Sequence, residues 1–299
     1  MADNLLDIFR FGFMQRALIA GLLVAGISGV LGVFVVLRRT APLGDALAHV
    51  SFGGLALGLA VGILPLYVAV AVAVFGGVAI RWLQDRRLYG ELSLTIVQAA
   101  GLGGGAVVVS LAGGLNVDIL SFLFGLSVLT VTWQDVALIA ALFAVTGVAM
   151  SLLYKEFFLL TFDPEGARVS GLPVRALDTG FTIVTAVAVV LAMRVVGILL
   201  ISALLVVPAA TALQLRLGLR GTLAASVFMA MLAVVVGLLL SVLFDAATGG
   251  MITLVSIASL LAALAAAGIS RRAESVQRAH RRKPEPERGA RSTDTHRLE

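Results

Sequence analysis

Nine apolar runs constrain this chain more than any other feature. They lie near residues 15–38, 44–62, 64–82, 92–113, 134–154, 176–194, 196–215, 221–243 and 250–268. A helix needs about 20 mostly apolar residues, at roughly 1.5 Å rise each, to cross the hydrocarbon core of a bilayer. Inside that core every backbone polar group must find its partner within the protein, so only helices and closed barrels can span it. The runs are continuously apolar and lack the period-two alternation of a membrane strand. The expected fold is therefore all-α, a polytopic transmembrane helical bundle of about nine spans. A further stretch at 116–131 is apolar but short and broken by Gly125. It reads as a re-entrant or broken segment rather than a tenth span.

Composition agrees. Hydrophobic residues make up 60% of the chain and charged residues 13%, with a mean hydropathy of +1.06, whereas a soluble domain carries about 25% charged residues. That excludes a soluble enzyme, a disordered chain and a fibrous repeat. A pI near 10.4 and a net charge of +5 would invite a nucleic-acid reading in a soluble protein. Here the charge sits at one end: nine of the 22 Lys and Arg, but only five of the 17 acids, fall in residues 271–299. This tail has almost no large apolar residues, and Pro284 and Pro286 would interrupt a helix. It is expected to be a basic, disordered cytoplasmic tail close to anionic lipid, with no nucleic-acid partner. The chain thus divides into an interfacial N-terminal segment (1–14), a transmembrane domain (15–270) and the tail (271–299). Cysteine is absent, which excludes disulfides and thiolate ligands. The first apolar run is too long for a signal-peptide core and reads as a retained membrane helix.

Charge between the runs orients them. One set of loops holds Arg38 and Arg39; Arg81, Arg86 and Arg87; Lys155, Arg168 and Arg175; Arg216 and Arg220; and then the tail. The alternate loops hold Arg194 alone after the first run, with Asp118, Asp135 and Asp245 nearby. Basic loops stay in the cytoplasm, so the C-terminus is expected there. With nine spans the N-terminus falls outside, against which Arg10 and Arg16 argue. Small residues share helix faces at Gly54, Gly58 and Gly62 and at Gly21, Ala25 and Gly29, the pattern that lets membrane helices approach closely.

Ionisable residues within spans cost roughly 2.5–3.5 kcal/mol on insertion scales and so call for a reason. Asp45 and His49 stand four apart in the second run, on one helical face. His49 is the only histidine outside the tail. A carboxylate and an imidazole together suit a transition-metal ion such as Zn²⁺ or Mn²⁺. They also suit each other, as a hydrogen-bonded pair that lowers the cost of burying both. Two ligands are too few for a structural metal site, yet a weak, incomplete site is what a permeation path requires, because the ion must leave again.

The segment TFDPEGARVSGLPV, residues 161–174, carries the signals of a short capped helix. Asp163 suits the N-cap, Pro164 the first helical position and Glu165 the positive end of the dipole. Gly171 is placed to end the helix and Pro173 stops its continuation. This two-turn helix on the cytoplasmic side is either a connector or a docking element for a cytoplasmic partner. No Walker A, H-E-x-x-H or dinucleotide-binding pattern occurs, so the chain is not expected to be an enzyme, and ATP hydrolysis would come from another chain.

Five blocks in order resemble one family: LGVFVVLRRTAPLGDALAHVSFGGLALG (31–58), NVDILSFLFG (116–125), TFDPEGARVSGLPV (161–174), VVGILLISALLVVPAATA (195–212) and FDAATGGMITL (244–254). The chain resembles the permease subunit of bacterial zinc/manganese-type ABC importers. Gly53 and Ala247 depart from the family, which often has proline at both positions. The resemblance implies a type-II-importer-like fold, with a homodimer of permease chains around a central path. It implies two cytoplasmic ATP-binding subunits, with ATP bound there, and an extracytoplasmic receptor that delivers Zn²⁺ or Mn²⁺. It places Asp45 and His49 on the translocation path as metal ligands, and makes Asp163, Pro164, Glu165, Ala167 and Gly171 part of the element that couples to the ATPase. No cofactor is expected on this chain. The alternatives are a permease for a metal chelate, such as an iron siderophore or cobalamin, or an ATP-independent secondary metal transporter.

Overall fold

A computed structural model of the chain describes residues 12–86, 88–114, 131–198 and 200–281, with the backbone alone described at 194 and 268–281. Residues 1–11, most of the 116–131 stretch and 282–299 lie outside the described residues, and with them most of the expected interfacial segment, the expected re-entrant segment and the end of the tail. Among the described residues there are eleven helices and no strand. They are α1 (Gly12–Leu37), α2 (Pro42–Val61), α3 (Pro65–Asp85), α4 (Gly90–Leu111), α5 (Trp133–Leu152), α6 (Tyr154–Phe162), α7 (Pro164–Val169), α8 (Val174–Val196), α9 (Ile201–Gln214), α10 (Leu219–Phe244) and α11 (Thr248–Arg281).

Eight of these, all but α6, α7 and α9, are long and apolar enough to cross a membrane. The seventh apolar run differs from its expected length. Gly197 adopts φ +91° and ends α8, and the chain re-enters a helix only at Ile201. What remains is α9, 14 residues with Pro208 in its interior, about 21 Å long and short of the roughly 30 Å hydrocarbon core. The helix α6 is a separate element that no apolar run marks. A break at Leu153 divides it from α5, and nine residues are too few to register as a span. The backbone of α11 continues as helix to Arg281, past residue 270 where the basic tail was expected to begin.

Packing follows the small residues. Along α2, a β-carbon on Gly54 would come 2.7 Å from the Ala69 Cα of α3, and one on Gly58 would come 2.7 Å from the Pro65 Cα. Gly62, the third of that series, closes the helix with φ +74° instead. On α1, Gly29 meets the Val227 backbone of α10, and its carbonyl accepts a 2.8 Å hydrogen bond from Ser226 Oγ. These contacts need glycine because two backbones meet where a side chain would stand. The outcome is two helix groups, α2 with α3 and α4, and α10 with α1 and α11, bridged by α8 and α9. The central helix is α1, with its Ala17, Ala20, Ala25 and Leu31 fully enclosed.

Outward faces are apolar, with Phe75, Leu111, Leu152, Phe228 and Leu261 each more than half exposed. A soluble surface rarely carries so much contiguous apolar area, whereas hydrocarbon accepts it. Two buried hydroxyls inside the spans turn back on their own helices, Ser51 donating to Leu47 O at 2.6 Å and Thr185 to Phe181 O at 2.8 Å. The molecule is a multi-pass membrane protein.

Candidate functional site

Asp45 and His49 lie in the first and second turns of α2, which Pro42 opens at a position where no amide hydrogen is needed. His49 Nε2 stands 3.6 Å from Asp45 Oδ1, too far for a hydrogen bond. The two are neighbours without satisfying each other. The carboxylate accepts from other helices instead: Gln98 Nε2 of α4 donates to Oδ2 at 2.7 Å, and Ser202 Oγ of α9 donates to Oδ1 at 3.3 Å. The Asp45 side chain is 42% exposed and that of His49 17%. A carboxylate this open within a span faces a space rather than the packed core. Among the described residues no group of three or more His, Cys, Asp or Glu could hold a metal ion, so the site among them is one carboxylate and one imidazole.

Helix contact brings Gln98 to Asp45. A β-carbon on Gly101 would stand 2.6 Å from the Val50 Cα, one on Gly53 2.7 Å from the Gly101 carbonyl oxygen, and one on Gly105 2.8 Å from the Phe52 ring. The α2 and α4 backbones therefore meet directly just beyond the pair. Gly53, which stands where the family often has proline, lies within a continuous α2 and against the α4 backbone. On the other flank, a β-carbon on Gly44 would lie 2.8 Å from Leu205 Cδ2, which seats α9 beside Asp45. Sequence reading missed both Gln98 and Ser202. Gln98 carried a signal, an amide amid the apolar run 92–113. Ser202 carried none, because a hydroxyl within a membrane helix is satisfied by its own backbone at little cost.

The second candidate element is α7. Asp163 caps it, Oδ1 accepting from the Gly166 N–H at 2.9 Å, and Pro164 takes the first helical position. At the other end the Gly171 N–H bonds to Arg168 O and the Leu172 N–H to Ala167 O. This is a Schellman closure with Gly171 in the left-handed region at φ +78°. The helix is six residues long, shorter than the two turns expected, because its closure begins at Ser170. Ala167 is fully buried, Asp163, Pro164 and Glu165 are exposed, and Val169 is 88% exposed. The preceding α6 points Phe157 and Leu160 inward and leaves Phe158 and Phe162 exposed. The outer surface of α6 and α7 is thus an apolar patch beside charged residues.

That surface is tied to the bundle. Phe157 packs between Phe34 of α1 and Phe181 of α8, with ring centroids 5.7 and 5.8 Å away. The Arg38 guanidinium lies 5.3 Å from the Phe181 ring and pairs with Asp178, and Arg81 donates to Thr182 Oγ1 at 2.8 Å. Behind α7 a cleft of about 690 Å³ is lined by Arg81, Asp85, Arg168, Arg175 and Asp178.

Residues 10–267 match the model of the ABC 3 transport family. Over 247 residues the chain is 30% identical to the high-affinity zinc uptake system membrane protein ZnuB of Haemophilus influenzae, across 82% of this chain and 94% of that one. Over 260 residues it is 32% identical to the manganese transport system membrane protein MntC of Halalkalibacterium halodurans, across 87% and 88%. Among solved structures it is similar to PsaBC from Streptococcus pneumoniae in complex with Fab. The TM-score is 0.79 at 26% identity, covering 88% of this chain and 95% of that chain.

Proposed function

This chain belongs to the ABC 3 transport family, and from that premise we propose that it is the permease subunit of an ATP-binding-cassette importer for zinc or manganese. One observation carries the metal assignment: within a span, a half-open carboxylate and an imidazole converge 3.6 Å apart on one face of α2. Zn²⁺ and Mn²⁺ accept both carboxylate and imidazole ligands. The zinc and manganese systems to which the relatives belong support the same cargo.

Two copies of the chain surround the path and bring two such pairs to it, enough donors to hold an ion briefly. With neutral residues around the pairs the site stays weak, and the ion leaves on the far side. Cytoplasmic ATP-binding subunits dock on α6 and α7, where Val169, Phe158 and Phe162 present apolar surface, and an extracytoplasmic receptor supplies the ion. The energy comes from ATP bound and hydrolysed on those partners. Closure of the partners moves α7, whose buried Ala167 and the Phe157 cluster carry the motion into α1 and α8. The protein sits in the bacterial inner membrane with its C-terminus and basic tail in the cytoplasm.

Metal accumulation by cells carrying Asp45→Ala or His49→Ala tests this reading. Uptake of Mn²⁺ and Zn²⁺ is expected to fall to background while the permease still co-purifies with its ATP-binding subunit. Wild-type uptake in either variant removes the pair from the path.

A further inference from the structure

Asp45 is a carboxylate on a single rotatable arm, and its terminal torsion is broad. Left alone it would rotate among orientations, only some of which direct an oxygen to the space beside His49. Two neutral donors restrict it: Oδ2 is taken by Gln98 Nε2 at 2.7 Å, while Oδ1, 3.6 Å from His49 Nε2, receives the longer 3.3 Å bond from Ser202. Gln98 is in turn fixed by its helix. It shares one stripe of α4 with Gly101 and Gly105, at spacings of three and seven, and those glycines are in backbone contact with α2. The backbone that carries this amide cannot withdraw without separating two helices that touch at Val50 and Gly53.

We propose that Gln98 is a positioning residue of the metal path, holding Asp45 so that Oδ1, its more weakly bonded oxygen, and the His49 imidazole address the same ion, and that its neutrality keeps the site weak enough to release. This rests on the path assignment of Asp45 and His49. Outer partners that orient a metal ligand typically govern 10–100-fold in metal affinity or activity. A carboxylate at position 98 would have the same shape, would exchange the donor for a charge, and would add a second ionised ligand to a pair in which only Asp45 is ionised, because an imidazole binds metal in its neutral form. The two classes of substitution therefore move transport in opposite senses. Removing the donor loosens Asp45 and weakens capture, whereas adding charge strengthens capture and slows release.

The experiment uses the complete importer, permease with its ATP-binding subunits and receptor, reconstituted in proteoliposomes. Mn²⁺ and Zn²⁺ uptake is followed against concentration, and rates are expressed per assembled complex. Gln98→Leu is expected to raise KM about tenfold with a maximal rate within twofold of wild type. Gln98→Glu, isosteric and so a control for folding, is expected to lower both KM and the maximal rate. Asp45→Ala is measured beside them. If it abolishes uptake while Gln98→Leu leaves KM unchanged, the positioning role is overturned and the path assignment stands. If Asp45→Ala transports normally, the path assignment itself has failed. Equal loss of rate in both Gln98 variants at unchanged KM would make Gln98 a packing residue and also overturn the proposal.

Discussion

Arg38, one residue beyond the end of α1, donates a hydrogen bond to Asp178 in the second turn of α8, 140 positions later in the chain. The side chains are only 12% and 21% exposed, and the second terminal nitrogen of Arg38 is buried without a partner. Arg81 Nη1 lies 3.8 Å from the other oxygen of the same carboxylate. One acid thus balances two arginines where three helices end, directly above the phenylalanine cluster that anchors α6.

Removing that acid leaves two cations facing each other out of water. Breaking one side of a buried pair costs about 3–5 kcal/mol, and the partial exposure here places Asp178→Ala near the lower limit. The purified permease is expected to unfold at a clearly lower temperature. Replacing Arg38 and Asp178 together by leucine is expected to recover much of the loss, since no unpaired charge then remains at Arg38. An unchanged midpoint in the single variant would mean that solvent reaches the cluster freely.

The α2–α4 contact makes a sharper steric prediction. Gly101→Ala places a methyl 2.6 Å from a backbone atom of α2, and overpacking of this kind costs about 1–3 kcal/mol. Because the helices must part at the point that holds Gln98 on Asp45, metal uptake is expected to fall with stability. Gly103→Ala, two residues away with nothing within 4 Å of its β-carbon, is expected to leave both unchanged. Thermal unfolding and uptake in the two variants check this.

At α7 two backbone devices can be removed separately. Asp163→Ala deletes the cap, worth about 1 kcal/mol to a helix, and Gly171→Val forces a branched side chain into a left-handed conformation, costing about 1–2 kcal/mol. Both are expected to lower metal-stimulated ATP hydrolysis by the assembled importer. Val169→Asp acts on the surface alone, and it is expected to lose co-purification with the ATP-binding subunit while the permease keeps its thermal midpoint. Retained co-purification in Val169→Asp would place the docking surface elsewhere.

Ser202 offers a graded comparison. Its hydrogen bond to Asp45 is 3.3 Å long against 2.7 Å from Gln98, at the weak end of a range of about 0.5–1.5 kcal/mol. Ser202→Ala is accordingly expected to change the KM for metal uptake by no more than about twofold, measured in the same proteoliposomes.

Local composition made most of the fold readable. Apolar run length located eight crossing helices, and capping chemistry located α7, because helix formation and the cost of leaving backbone groups unpaired in lipid depend on residues close in sequence. The same locality hid the shortening of α9, since apolar composition continues past Gly197, and it hid α6, whose nine residues begin Tyr154-Lys155-Glu156 and carry no run long enough to mark a helix. For the candidate site, Asp45 and His49 were legible because four residues of helix always superpose. Gln98 and Ser202 were not, lying 53 and 157 positions from Asp45.

The sequence by itself determined that this chain is a bundle of membrane helices, which residues in the spans are ionisable, and where a short capped helix interrupts them. Only the tertiary structure decided which helices touch, and therefore that an amide of α4 and a hydroxyl of α9 hold the carboxylate of α2, and that Asp178 answers Arg38. The reason is physical. Within lipid there is no hydrophobic force to select one apolar face over another, so partners are chosen by close backbone contact at glycines such as Gly53 and Gly101 and by a few polar bonds. Those choices are made between segments far apart in the chain, and no local pattern records them.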